Sequence, residues 1–273
     1  MQTLRISLLL IGFLVLQLLS HGQPIIVFGA VPQEIPPVIE KLEDAKSGEL
    51  SGIQYTRGTL AGKDVIVTAT GVGKSYTAMV VAMFLNEFKP SMAFMTGTGA
   101  RINANNIRTA DIIIPSHVFL HDYGSLSDDG IFIAGLQPPG VKNKAPLKPN
   151  NFVITPMMHA KALALVETYE PHQVTVDGKT YPVTIASGKV ASGDFFGVPD
   201  SQIEQLRSLE TDIMEMESAT FSLVCEQFEV PHLVVRSGSN RAQSKPSDDY
   251  LKYGPIAAKS AGTLTAWLIA NWN

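Results

Sequence analysis

Cysteine and charge are scarce in this 273-residue chain: one cysteine, Cys225, and 17% charged residues. A single thiol excludes an intrachain disulfide and a Cys-rich zinc cluster. Lysine plus arginine number 21 against 25 acidic residues, a net charge of -4, so the chain lacks the basic excess with which nucleic-acid binders neutralise phosphates. No His, Cys or carboxylate spacing reads as a metal site, and no cofactor is expected. Beyond the N-terminus no apolar run approaches the ~20 residues of a spanning helix, so no stable membrane span is expected. What is present is a folding composition: 45% apolar residues, with 22 glycines and 17 prolines spread along the chain. Length alone allows one large α/β domain or two small ones.

Residues 1–22 read as a targeting segment. One positive charge, Arg5, precedes an apolar stretch from Ile6 to Leu19, and the small residues Ser20 and Gly22 stand at -3 and -1 of a cut before Gln23. Gln17 interrupts the stretch, which is too short to span a bilayer. The expectation is an exported protein, periplasmic or secreted, with residues 23–273 forming the folded domain. In such a compartment a lone exposed thiol is a liability, so Cys225 is expected to be buried.

The remainder alternates short apolar runs with helical spacing. Pro24–Gly29, Lys63–Thr70, Met92–Thr96, Asp111–Pro115, Val183–Ala186 and His232–Arg236 read as strands, most of them apolar throughout, as strands covered on both faces are. Helices are expected over Pro32–Leu42, Tyr76–Phe88, Met157–Tyr169, Ala219–Phe228 and Tyr250–Asn271. The pattern implies an α/β fold, a three-layer αβα sandwich around a central mixed sheet, in one domain. Gly124–Asn151, rich in Pro and Gly, reads as one long loop.

Four glycine-containing turns follow expected strands: Gly29–Glu34 (GAVPQE), Thr70–Ser75 (TGVGKS), Thr96–Arg101 (TGTGAR) and Ser192–Gly197 (SGDFFG). Each stands where an open α/β sheet binds ligands, beyond a strand's carboxyl end. TGVGKS is not a phosphate-binding P-loop, because Thr68 occupies the position of that motif's first glycine. Met214–Phe221 (MEMESATF) carries Glu215 and Glu217 two residues apart at the end of an expected strand, so that they would share a face. Two carboxylates in an apolar setting require a partner or a ligand; an acidic cluster at a helix N-terminus is the alternative.

Together with His121-Asp122 and Val234–Asn240 (VVRSGSN), these motifs resemble the nucleoside phosphorylase and nucleosidase superfamily, most closely the methylthioadenosine/S-adenosylhomocysteine nucleosidases, from about Pro24 to Ala270. GAVPQE is similar to that family's GAMEEE, TGVGK to SGIGK, TGTGA to TGSAG, SGDFF to SGDAF and MEMESAT to VEMEATA. The resemblance implies cleavage of a ribosyl N-glycosidic bond in a nucleoside. It places Glu34 on the residue that activates the attacking water, Met216 and Glu217 on the holders of the ribose hydroxyls with Glu215 beside them as a further substrate-binding candidate, and Phe196 on the aromatic that stacks on the base. Thr98 takes the place of a serine near the ribose, and Arg236 and Ser239 match the motif preceding the catalytic acid. Phe195 is read as core. His121 is either a possible contact or a cap on loop backbone.

The departure is Asn240, which stands where the resemblance implies an aspartic acid that protonates N7 of adenine. An amide cannot act as a general acid, but it can hydrogen-bond N7 and a 6-keto oxygen, as in trimeric purine nucleoside phosphorylases. Asn240-Arg241-Ala242-Gln243 is also similar to the Asn-Arg-Thr-Gln run of uridine phosphorylases. The positions that resemblance assigns to phosphate ligands fall near Glu34, at Met95 and near Ser51, none of them basic, so water is expected as nucleophile; Lys74, Arg57 or Arg101 are the substitutes a phosphate-dependent enzyme would need. The alternatives are thus a purine or uridine phosphorylase and a low-activity nucleoside-binding or storage protein. A homo-oligomer, most simply a homodimer, is implied throughout.

Overall fold

Ile25–Gly29 forms strand β1, buried along its whole length. The computed structural model describes residues 22–127, 130–137, 150–243 and 245–273. The expected leader therefore lies outside the described residues, as does part of the expected loop Gly124–Asn151.

β1 pairs in parallel with β4 (Lys63–Ala69) and β5 (Met92–Arg101), after an antiparallel excursion through β2 (Glu43–Leu50) and β3 (Ile53–Leu60). β6 is Ile112–Leu120; β7 (Gly124–Ser127) and β8 (Gly130–Ile133) form a separate hairpin, where the sequence had implied loop alone. β9 (Phe152–Val153) pairs with β6, and β10 (Gln173–Val176) with β11 (Lys179–Pro182). β12 (Ile185–Ser192), β13 (Ile213–Glu215) and β14 (His232–Arg241) complete the set, and the main sheet runs β13-β12-β6-β14-β5-β1-β4-β3-β2. It is mixed, and its β13 end curls until β13 also pairs antiparallel with β5, through Ile213 opposite Arg101 and Met214 opposite Ala100. Gly99 permits this approach, since a Cβ there would overlap Ile213 and lie 2.9 Å from the Met214 carbonyl. The curl brings the ends of β5, β13 and β14 to one place.

The expected helix over Pro32–Leu42 is instead a 3-10 turn, Pro32–Glu34, followed by the single turn α1, Pro36–Ile39. Successive prolines there remove the N–H groups a longer helix needs. The other helices are α2 (Lys74–Phe88), α3 (Pro156–Val166), α4 (Asp200–Ser208), α5 (Ser218–Gln227) and α6 (Ser247–Asn271). α2 packs on α5, whereas α1 and α3 pack on α6, giving a helical layer on each side of the sheet. The core is continuous across these layers and includes Cys225, which is buried. Among the described residues, no helix is long and apolar enough to cross a membrane and no group of three His, Cys, Asp or Glu could hold a metal ion.

Candidate active site

The carboxyl ends of β1, β5, β13 and β14 open on a cavity of about 300 Å³. Glu34, Thr98, Phe196, Glu215, Met216, Glu217, Ser239 and Asn240, the eight residues singled out from the sequence, all line it.

Glu34 is buried at the end of the 3-10 turn after β1. Its Oε2 accepts from the Ala30 N–H at 2.7 Å, and Oε1 accepts from the Thr98 N–H at 2.8 Å and the Thr98 hydroxyl at 3.1 Å. Three fixed donors thus aim the carboxylate across from β5. Gly97 must lack a side chain, because a Cβ would collide with the Arg236 guanidinium and lie 2.7 Å from Glu34 Oε1.

Glu215 and Glu217 do not share a strand face as the spacing implied. β13 stops at Glu215, the chain bends, and Glu217 becomes the N-cap of α5. They converge on Arg236, which is fully buried on β14 and ion-paired to both, with Glu217 Oε2 at 3.3 Å. Burial alone would lower the guanidinium pKa, but Glu215, Glu217 and Glu34 raise it. The carboxylates therefore find a cation inside the protein. The Glu215 oxygens accept from the Ser192 and Ser218 hydroxyls and the N–H groups of Glu217 and Ser218. The Glu215 carboxylate thus borders the cavity while its oxygens accept from protein donors. Glu217 is less satisfied, accepting only from the Gly73 N–H at 2.9 Å besides Arg236. Burial first and Glu215 second push its pKa up to about 8, against the opposing pull of Arg236.

At the opposite end, the Asn240 Nδ2 donates to the Arg241 carbonyl at 2.9 Å while Oδ1 accepts from the Ser239 hydroxyl at 2.9 Å. One amide N–H remains for a ligand. Phe196 and Phe195 are 53% and 50% exposed, so Phe195 is not core; both edge the cavity, and Phe196 meets Tyr250 edge-on at 5.6 Å.

Val72 of the TGVGKS turn and Gln243 of the Asn240–Gln243 run also line the cavity, as does Tyr250, which was not singled out. Tyr250 opens the helical pattern of α6, which marks it in the sequence as a helix start and hides its ring's direction. Burial, then Glu34, raises its phenol pKa. His121 is buried outside the lining, its Nδ1 3.1 Å from Gln202 Nε2, and it neither contacts the cavity nor caps backbone through that nitrogen. The three candidate phosphate ligands are committed elsewhere: Arg57 to Asp64 at 2.6 Å, Lys74 to Asp122 at 2.7 Å, and Arg101 to the Ile107 carbonyl at 3.1 Å. Arg241 is exposed and outside the lining. No lysine, arginine or histidine is among the described residues that line the cavity.

Comparison with known proteins adds the following. A family model described as the phosphorylase superfamily matches residues 24–270. A 5′-methylthioadenosine/S-adenosylhomocysteine nucleosidase of Tolumonas auensis is 27% identical over 240 residues, spanning 87% of this chain and 95% of that one. A nucleosidase of the same description from Colwellia psychrerythraea, solved in complex with adenine, superposes with a TM-score of 0.72 at 25% identity, covering 89% of this chain and 93% of the other. The futalosine hydrolase of Helicobacter pylori gives a TM-score of 0.74 at 21% identity over 90% and 97%, a likeness of fold.

Proposed function

Because this chain belongs to the phosphorylase superfamily, we propose that it is a nucleosidase that hydrolyses the N-glycosidic bond of a purine nucleoside. The observation that carries the reading is that Glu34 and Glu217 share a cavity whose lining, among the described residues, offers no cation for phosphate, the nearby guanidinium of Arg236 being paired to Glu215 and Glu217. An anion that meets carboxylates and no bidentate cation has no reason to enter; water does.

In the reaction, Glu34 accepts a proton from water as its oxygen bonds to C1′, and the C1′–N9 bond breaks with its electron pair going to the base. Positive charge develops on the sugar as the base departs. Glu217 and Met216 hold the ribose hydroxyls, Thr98 borders the same end, and Phe196 stacks on the base. Asn240, its amide oriented by Ser239, donates to N7 without transferring a proton. That chemistry suits a base that leaves readily as an anion, such as a 6-oxopurine, better than adenine. The adenine-bound and methylthioadenosine-named relatives support the purine class. Asn240 also favours a second reading, a nucleoside-binding protein with little turnover.

The test is base release from methylthioadenosine, adenosine and inosine by the Glu34→Gln variant. Loss of a general base lowers kcat by about 10²- to 10⁴-fold with KM little changed. Equal rates in variant and wild type contradict the assignment.

We further propose that the protein acts as a homodimer, supported by an unpartnered apolar stripe beside the cavity mouth formed by Val72, Tyr76 and Met79. Export with removal of residues 1–22 is supported by their sequence pattern, and N-terminal sequencing of the secreted chain should begin at Gln23.

A further inference from the structure

Three of the segments marked by their glycines or charges, Thr70–Ser75, His121-Asp122 and Ser192–Gly197, meet beside the cavity in a closed ring of contacts. Lys74 Nζ lies 2.7 Å from Asp122 Oδ1 and 3.7 Å from Asp194 Oδ2. The other Asp122 oxygen accepts from the Asp194 N–H at 2.8 Å, and Asp194 Oδ1 accepts from the Lys74 N–H at 2.8 Å. Asp194 thereby caps an orphan amide at the start of α2 from a distant part of the chain, where a negative charge also suits the helix dipole. Two glycines make the fit. Gly73 has φ +89°, and a Cβ there would lie 2.9 Å from Asp194 Oδ1; at Gly193 a Cβ would collide with the His121 ring.

Each side of the ring leads to a working group. Gly73, one residue before Lys74, donates its N–H to Glu217 at 2.9 Å. Two residues after Asp194 comes Phe196, whose half-exposed ring meets Tyr250 edge-on.

We propose that Lys74, Asp122 and Asp194 are positioning residues, a node that sets the ribose end and the base end of the cavity in one register by fixing the Gly73 N–H against Glu217 and anchoring the chain that carries Phe196. The inference rests on the nucleosidase reading for what is positioned. It also gives Lys74 a role other than phosphate binding.

The experiment compares Asp194→Ala and Asp194→Asn with the wild type, using kcat and KM for base release and Kd by calorimetry, with methylthioadenosine and inosine as probes. Amide hydrogen exchange of the segments 71–76 and 193–197 is followed without ligand. Asp194→Ala is expected to raise KM and Kd about tenfold with kcat within about threefold, because binding rather than transition-state stabilisation is lost. Exchange should rise in both segments together. Asp194→Asn keeps an acceptor for the Lys74 N–H and should stay within about threefold of wild type in KM. Exchange that rises only in 193–197, or a loss confined to kcat, overturns the proposal. If the wild type releases no base from either probe, the enzyme reading fails, while Kd and exchange still decide the node.

Discussion

Burial and Glu215 oppose the Glu217 charge more than Arg236 and the Gly73 N–H support it, which pushes its pKa up to about 8. Its folded value lies above the ordinary 4.5, so the stability it contributes is complete below about pH 4.5 and is lost as the pH rises through about 8. His232 works in the other direction: burial holds it near 4, and its contribution is lost only as the pH falls below 6.5. Between about pH 6.5 and 8 the wild type should therefore lose stability against urea, and Glu217→Gln should lose much less. Parallel curves for the two proteins contradict the buried-proton account. At Asn240 the expectation is a gain. Asn240→Asp restores a group able to protonate N7, and adenine release from methylthioadenosine should rise by about 10²- to 10⁴-fold. An unchanged rate would remove Asn240 from the base site.

At the scale of elements, α2 serves two purposes. Its N-terminal amides bind Glu217 and Asp194, while Tyr76 and Met79, 60% and 46% exposed and three residues apart on one helix face, extend the apolar patch that includes Val72. A like stripe on a second copy is its proposed cover. Tyr76→Glu with Met79→Glu should convert a dimer to a monomer by light scattering at unchanged helicity; a wild type that is already monomeric contradicts the dimer. The strands that build the site were legible for a related reason. β1, β4, β5 and β14 are covered on both faces and so are apolar runs. β2, with the sequence EDAKSGEL, is an exposed edge strand specified by pairing with β3, and no apolar pattern announces it. The 3-10 turn at Pro32–Glu34 was blurred into a helix because Ile35, Val38 and Ile39 have helical spacing whether or not prolines shorten the element.

At the scale of the whole molecule, the curl of the sheet turns separate motifs into one cavity. The eight residues chosen by motif lie between positions 34 and 240 and come together because β13 closes on β5. Sequence resemblance located them but could not separate their roles. Glu215 and Glu217 look equivalent in MEMES, yet the bend after β13 gives one carboxylate to the protein interior and leaves the other with few donors. Tyr250 and the Lys74–Asp122–Asp194 ring were hidden altogether, since each depends on contacts across more than 45 positions of chain.

Hydrolysis is distinguished from phosphorolysis by following purine release from methylthioadenosine, adenosine and inosine with the wild-type protein in phosphate-free buffer and again with added phosphate. A nucleosidase releases free base without phosphate, at a rate that phosphate does not raise, together with free ribose or its 5′-substituted form. Release that requires phosphate and yields a ribose 1-phosphate would contradict hydrolysis.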